Sequence, residues 1–190
     1  MARIAVFASG SGSNFEALFE EFKNDQNHNI VLLICDRKNA YVLERARKKV
    51  VKFELVNYVK NSKKDVENHI LNILNENKID IIFLAGFMRV LSEEFIEKAP
   101  APLINIHPSI LPKFKGVEAI KRAYESTDDK TGISIHYVNK EVDGGELILQ
   151  KEIIIDRNKG LDFLEKEIHQ LEHKWYPKVA KDLCDKLETS

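Results

Sequence analysis

Asn105 and His107 stand two residues apart in Leu103-Ile104-Asn105-Ile106-His107, a run that otherwise reads as a buried strand. The side-chain period of a strand is two, so both leave the same face. Pro108 and Pro112 follow closely and end the ladder, because a proline nitrogen has no hydrogen to donate. An amide and an imidazole side by side at a strand end offer an oxyanion donor and a proton carrier to one reacting atom. The competing reading is a polar pair hydrogen-bonded into the interior. Asp143, in Asp143-Gly144-Gly145, is the candidate third member. Read alone it belongs to a turn. Brought to His107 by the fold, its carboxylate would favour the imidazolium and fix the ring's orientation.

A second set of candidates lies at the first strand–helix junction, Ser9-Gly10-Ser11-Gly12-Ser13-Asn14. Small residues let backbone N–H groups approach an anion, and the helix that follows presents the positive end of its dipole. Ser13 or Asn14 is expected to be the N-cap. The third glycine of a dinucleotide fingerprint is absent, since Phe15 stands there, although Asp36 mimics the ribose-binding acid. No Gly-Lys-Ser/Thr follows, which excludes an ordinary P-loop. A monophosphate site is the better reading, with a purely structural turn as its alternative. Ala85-Gly86-Phe87-Met88-Arg89-Val90-Leu91 leaves another strand at the end where open α/β sheets bind ligands. His169-Gln170-Leu171-Glu172-His173 matches the H-x-x-E-H zinc pattern, but too little chain follows to supply the further carboxylate, so no metal is expected.

Strand and helix patterns alternate around these residues. Strands are expected at Arg3–Ala8, Ile30–Cys35, Lys52–Val56, Ile79–Leu84 and Leu103–His107, and helices at Asn14–Lys23, Tyr41–Lys49 and Lys63–Asn77. Apolar strands separated by helices imply a parallel sheet covered on both faces. A helix at Val117–Glu125 precedes Gly132–Val138 and Leu147–Ile155, which no helix separates and which should therefore pair antiparallel. A terminal helix from about Leu161 to Leu187, bent near Pro177, closes the chain. The fold class is α/β: a Rossmann-like, mostly parallel sheet flanked by helices, with C-terminal antiparallel strands, in a single domain over residues 1–190.

Net charge is −1, with no basic block and no acidic tail, which argues against nucleic-acid or membrane-surface binding. The longest apolar stretches, such as Ile79–Val90, carry charges and are too short to cross a bilayer. The first strand begins at Arg3, so a signal peptide is not expected and a cytoplasmic location is. Cys35 and Cys184 fit no metal spacing and read as buried, reduced thiols.

Four segments in this order, SGSGSN (9–14), LAGFMRVLS (84–92), INIHPSILPKFKG (104–116) and DGGELILQ (143–150), resemble the phosphoribosylglycinamide formyltransferases (GAR transformylases), which use 10-formyltetrahydrofolate. The similarity runs from Ile4 to the final helix. It implies transfer of a formyl group from 10-formyltetrahydrofolate to the glycine amine of a phosphoribosylglycinamide in purine biosynthesis. It implies catalysis by Asn105, His107 and Asp143. The ribonucleotide would lie on Ser11, Gly12, Ser13, Asn14, Phe15 and Glu172. The folate would lie against Lys63, Met88, Arg89, Val90, Leu91, Asn105, Asn139, Lys140, Glu141, Val142 and Asp143. Three positions depart from the family: Lys63 stands in place of an arginine, His169 where lysine and glutamine vary, and Ile120 in place of a histidine. By the same resemblance the neutral amine attacks the formyl carbon, and Asn105 with imidazolium His107 holds the oxyanion. Asp143 keeps His107 charged and relays the proton. Formyltetrahydrofolate deformylase, a hydrolase with a similar triad, is the nearest rival. Methionyl-tRNA formyltransferase would bring more basic charge, and a non-catalytic phosphate-binding module would leave the three polar residues coincidental. The implied partners are small molecules; the sequence fixes no oligomeric state.

Overall fold

Apolar runs without polar alternation are satisfied in a sheet covered on both faces, and the first part of the chain builds one. The computed structural model describes residues 1–188. Strands β1 (Ala2–Ala8), β2 (His28–Cys35), β3 (Phe53–Leu55), β4 (Ile81–Leu84) and β5 (Leu103–His107) run parallel. Helices α1 (Ser13–Phe22), α2 (Val42–Lys48), α3 (Lys63–Glu76) and α4 (Glu93–Lys98) connect them. Helix α5 (Ala119–Glu125) leads into the antiparallel pair β6 (Lys130–Tyr137) and β7 (Leu147–Ile154), and α6 (Leu161–Glu188) follows. The sheet order is β3-β2-β1-β4-β5-β6-β7. The chain builds outward from β1 in one direction and then resumes from β4 in the other. This reversal leaves a crevice beyond the carboxyl ends of β1 and β4. The Ser9–Asn14 loop, the Ala85–Leu91 loop and His107 all emerge at this end of the sheet.

Alternation along the strands divides the core in two. Ile4, Val6, Leu33, Phe83 and Ile104 face α1 and α6, whereas Ala5, Phe7, Leu32, Ile34 and Ile82 face α3. The expected elements are present with ends shifted by a few residues. The sequence reading lacked α4, which has one buried residue, Phe95, and is capped by Ser92 Oγ accepting the Phe95 N–H at 3.1 Å. It also lacked the 3-10 turn Arg157–Lys159. Helix α6 runs through Pro177 to Glu188. Cys35 and Cys184 are both buried and unpaired, and burial pushes the Cys184 thiol up to about 12.

Two contacts set the position of α6. The fully buried Tyr176 donates its hydroxyl to the carbonyls of Leu84 and Ile104, at 2.8 and 3.0 Å, and meets Phe83 edge to face. This fixes the helix against the carboxyl end of β4 and the neighbouring start of β5. Glu172, one turn earlier, shares that face of the helix. Near the other end, Lys181 reaches Asp25 at 2.8 Å, and Asp25 also accepts the N–H groups of Asn27 and His28. Buried His28 accepts the Ala2 N–H at Nδ1, so Nε2 carries the hydrogen directed at Asp185, 2.9 Å away.

The Lys181 ammonium and the two N–H groups hold Asp25 at about 2, below the ordinary aspartate value. A carboxyl lowered in the folded state stabilises it above the unfolded pKa, and that contribution is lost as pH falls through the folded one. Asp25→Asn is therefore expected to lower the thermal midpoint at pH 7 by about 1–3 °C, the scale of one ion pair near the surface. The difference from wild type should shrink as melting is repeated between pH 4 and pH 2.

Candidate functional site

The site begins at the turn out of β1. Gly12 is the N-cap of α1, at φ 75°, and no side chain caps the helix. The expected cap at Ser13 or Asn14 is therefore wrong: the turn requires a left-handed residue, which glycine adopts without steric cost. The first-turn N–H groups of Ser13, Asn14 and Phe15 have no intrahelical acceptor, which is the donor arrangement an anion cradle needs. The Ser11 carbonyl is held by Arg45 Nε at 2.8 Å, and Arg45 Nη1 is paired with Glu16. Glu172 comes from α6 to this rim and accepts Asn14 Nδ2 at 3.2 Å and His169 Nδ1 at 2.9 Å. The hydrogen bond to Glu172 raises the His169 pKa, whereas burial lowers that of His173. Asn14 Oδ1 and His173 Nε2 are buried without a hydrogen-bond partner.

Across the crevice, the fold joins residues that the chain keeps far apart. Asp143 Oδ2 lies 3.3 Å from His107 Nδ1 and accepts the Gly116 N–H at 2.8 Å. Its other oxygen faces Asn105 Nδ2 at 3.4 Å. Asp143 itself sits at φ 51°, a left-handed conformation that aspartate tolerates better than most residues. The turn is pressed against β6 at Gly145, where a Cβ would lie 1.7 Å from the Tyr137 carbonyl oxygen. Burial alone would raise the Asp143 carboxyl. The His136 imidazole, the Gly116 N–H and the His107 imidazole outweigh it and hold the group below its ordinary value.

His107 is subject to opposing influences. Burial pushes its pKa down, while the Phe114 carbonyl and the Asp143 carboxylate pull it up, and burial wins. The expectation that Asp143 keeps the imidazole charged thus meets a desolvation cost that the sequence did not disclose. Geometry nonetheless favours a proton between the two groups, 3.3 Å apart. Nε2 faces only the Phe114 carbonyl, at 2.8 Å, and must donate to it, so Nδ1 and Asp143 Oδ2 would otherwise confront each other as two acceptors.

A family model described as Formyl transferase matches residues 2–180. The chain belongs to the formyl transferase family. It is 40% identical over 187 residues to the phosphoribosylglycinamide formyltransferase of Bacillus subtilis (strain 168), covering 96% of this chain and 95% of that one. It is 34% identical over 178 residues to the human trifunctional purine biosynthetic protein adenosine-3, covering 93% of this chain but only 18% of that longer protein. Among solved structures, glycinamide ribonucleotide transformylase 1 from Geobacillus kaustophilus superimposes with a TM-score of 0.92 at 39% identity. That alignment covers 97% of this chain and 99% of the other.

The other residues expected to meet the folate lie on the Met88–Leu91 and Asn139–Asp143 loops, apart from Lys63. Met88 and Val90 are largely exposed on one loop, as is Val142 on the other, and Lys140 reaches across to Glu93 at 3.3 Å. Asn139 braces its own loop, accepting the Glu141 N–H at 3.0 Å, while Glu141 pairs with Lys115 at 2.7 Å. Lys63 begins α3 and lies 3.9 Å from buried Glu67. The side chains of Phe15 and Leu91 are buried in the two cores, which leaves their backbones to face a ligand.

The sequence reading missed His136, which is buried beside the three expected residues. Its Nδ1 faces the Tyr137 carbonyl at 2.8 Å and carries the hydrogen, leaving Nε2 to accept Asn105 Nδ2 at 3.2 Å in the neutral ring. Asp143 Oδ1 lies 3.6 Å from the same nitrogen. The overlooked signal was a repetition. Ser134 and His136 have the same two-residue spacing as Asn105 and His107, and β6 pairs with β5 so that His136 opposes Asn105 and Ser134 opposes His107. Ser134 Oγ donates to the Ser109 carbonyl and accepts the Leu111 N–H, holding the turn with its cis Leu111–Pro112 peptide.

A Cβ on Gly12 would lie 2.5 Å from Val42 Cγ2 and 2.9 Å from Val42 Cα, and the φ there costs a side-chain-bearing residue about 1–3 kcal/mol. Gly12→Val should therefore displace the cradle. Calorimetry is expected to show lost ribonucleotide binding with formyl-folate binding retained; equal loss of both would mean the domain had unfolded.

Proposed function

We propose that this protein transfers the formyl group of 10-formyltetrahydrofolate to the glycine amine of N1-(5-phospho-D-ribosyl)glycinamide, giving the formylated ribonucleotide and tetrahydrofolate. The observation that carries this reading is the convergence of Asn105, His107 and Asp143 at the carboxyl end of β5. An uncapped helix terminus suited to a phosphate adjoins them on one side, and exposed apolar side chains suited to a flat ring adjoin them on the other.

The ribonucleotide phosphate binds the N–H groups of Ser13, Asn14 and Phe15, and Glu172 receives the glycine amine. The folate lies between Met88–Val90 and the Asn139–Val142 segment, with its formyl carbon toward Asn105. Attack by the neutral amine moves negative charge onto the formyl oxygen, where a prepositioned donor is worth most. Asn105 Nδ2 supplies one such donor by turning a hydrogen from its present acceptors toward that oxygen. His107 supplies the other only after Nε2–H leaves the Phe114 carbonyl, so the Pro112–Gly116 segment must shift as the substrates settle. The amine proton passes to Asp143, and the proton between Asp143 and His107 provides for the departing folate nitrogen. The reaction uses neither a protein nucleophile nor a metal.

The decisive assay mixes the protein with 10-formyltetrahydrofolate, with and without the ribonucleotide. Turnover only with the ribonucleotide is expected; turnover without it would make the protein a hydrolase, and none in either case a binding module. Asp143→Asn keeps size while removing charge, and should lower kcat by at least ~10²-fold with little change in KM. Asn105→Ala should cost ~10²–10³-fold, as for one oxyanion donor. A folded Asp143→Asn enzyme with wild-type kcat would contradict the mechanism.

A further inference from the structure

Asp36, just beyond β2, has no part in the reaction above, yet its side chain is fully buried. Its Oδ1 accepts Ser9 Oγ at 2.5 Å and its Oδ2 accepts Arg89 Nε at 2.6 Å. These two bonds weigh against the ribose-binding role that its position mimics, since both oxygens are already occupied. Ser9 is equally fixed. Its hydroxyl accepts the Met88 N–H at 2.8 Å and its own N–H reaches the Gly86 carbonyl at 3.1 Å. Asp36 is therefore held by the first residue of one substrate loop and in turn holds an arginine of the other.

A buried carboxylate is costly unless it is paired and hydrogen-bonded, and this pairing leaves Arg89 in a specific pose. The guanidinium is gripped through Nε and lies over the Tyr58 ring, 4.8 Å from its centre. Among the described residues Asp36 is its only hydrogen-bond partner, and the side chain is 38% exposed. The planar edge carrying both Nη atoms is thus directed away from the carboxylate, in the geometry that suits a second carboxylate.

We propose that Asp36 is a positioning residue for the co-substrate: it orients Arg89 so that its Nη edge receives a carboxylate of the formyl-folate. The proposal rests on the function proposed above. The pterin ring is uncharged, so the carboxylates of the glutamate tail are the groups an aimed guanidinium can select.

The test is steady-state kinetics of Asp36→Asn with two formyl donors, 10-formyltetrahydrofolate and 10-formyltetrahydropteroate, which lacks the glutamate. With the folate, KM is expected to rise about tenfold, the scale for weakening one charge-assisted bond, and kcat to change much less. The ribonucleotide KM and the pteroate KM should stay near wild type. An unchanged folate KM would overturn the proposal, and so would an equal rise for both donors, which a merely structural role predicts. Should Asp36→Asn fail to fold by circular dichroism, Arg89→Lys replaces it. That variant keeps the charge but loses the fork, and must show the same selective rise or the proposal fails. Wild-type protein that transfers no formyl group would instead remove the functional reading on which the proposal stands.

Discussion

A largely buried carboxylate facing two imidazoles and an amide is the constraint around which this site is organised. A charge taken out of water must be matched by donors on its own oxygens. Asp143 finds them in the Gly116 N–H, the Asn105 amide and the ring of His107, with His136 beside it. Asn105 and His107 come from β5, Gly116 from the loop after it and His136 from β6. The arrangement therefore exists only when β5 and β6 pair in one register, when Gly145 lets its turn sit on the Tyr137 carbonyl, and when the Pro112–Gly116 segment folds back over His107. A one-residue slip of β6 would turn His136 to the opposite face of the sheet.

That segment carries visible strain. Phe114 is left-handed at φ 56°, a conformation costly for a residue with a Cβ, and Glu118 just beyond the segment is left-handed at φ 54°. The Phe114 carbonyl takes the His107 Nε2–H that an oxyanion would need. The strain and the occupied donor fall in the same few residues, so the segment that must move is also one that stores energy against staying put.

Much of this was legible because it is local. The spacing of Asn105 and His107, the glycine–serine turn after β1 and the periodicity of the long elements all lie within a few residues of themselves. What escaped was set elsewhere in the chain. His136 gains its meaning from strand pairing with β5. The desolvation that lowers His107 depends on residues packed around it from elsewhere in the chain. Whether Phe15 and Leu91 offer a side chain or only a backbone is settled by core packing, which the family resemblance could not convey. Helix α4, with one buried residue over six positions, is too short for a period to show.

The central claim is that Asp143 and His107 hold one proton between them and titrate as a coupled pair. Its most direct test is an NMR titration of ¹⁵N-histidine-labelled protein, following both ring nitrogens of His107 in the wild type and in Asp143→Asn. Removing the carboxylate leaves burial unopposed on that side, so the His107 transition should move to lower pH in the variant, with the larger change at Nδ1. Superimposable titrations of the two proteins would contradict the pairing.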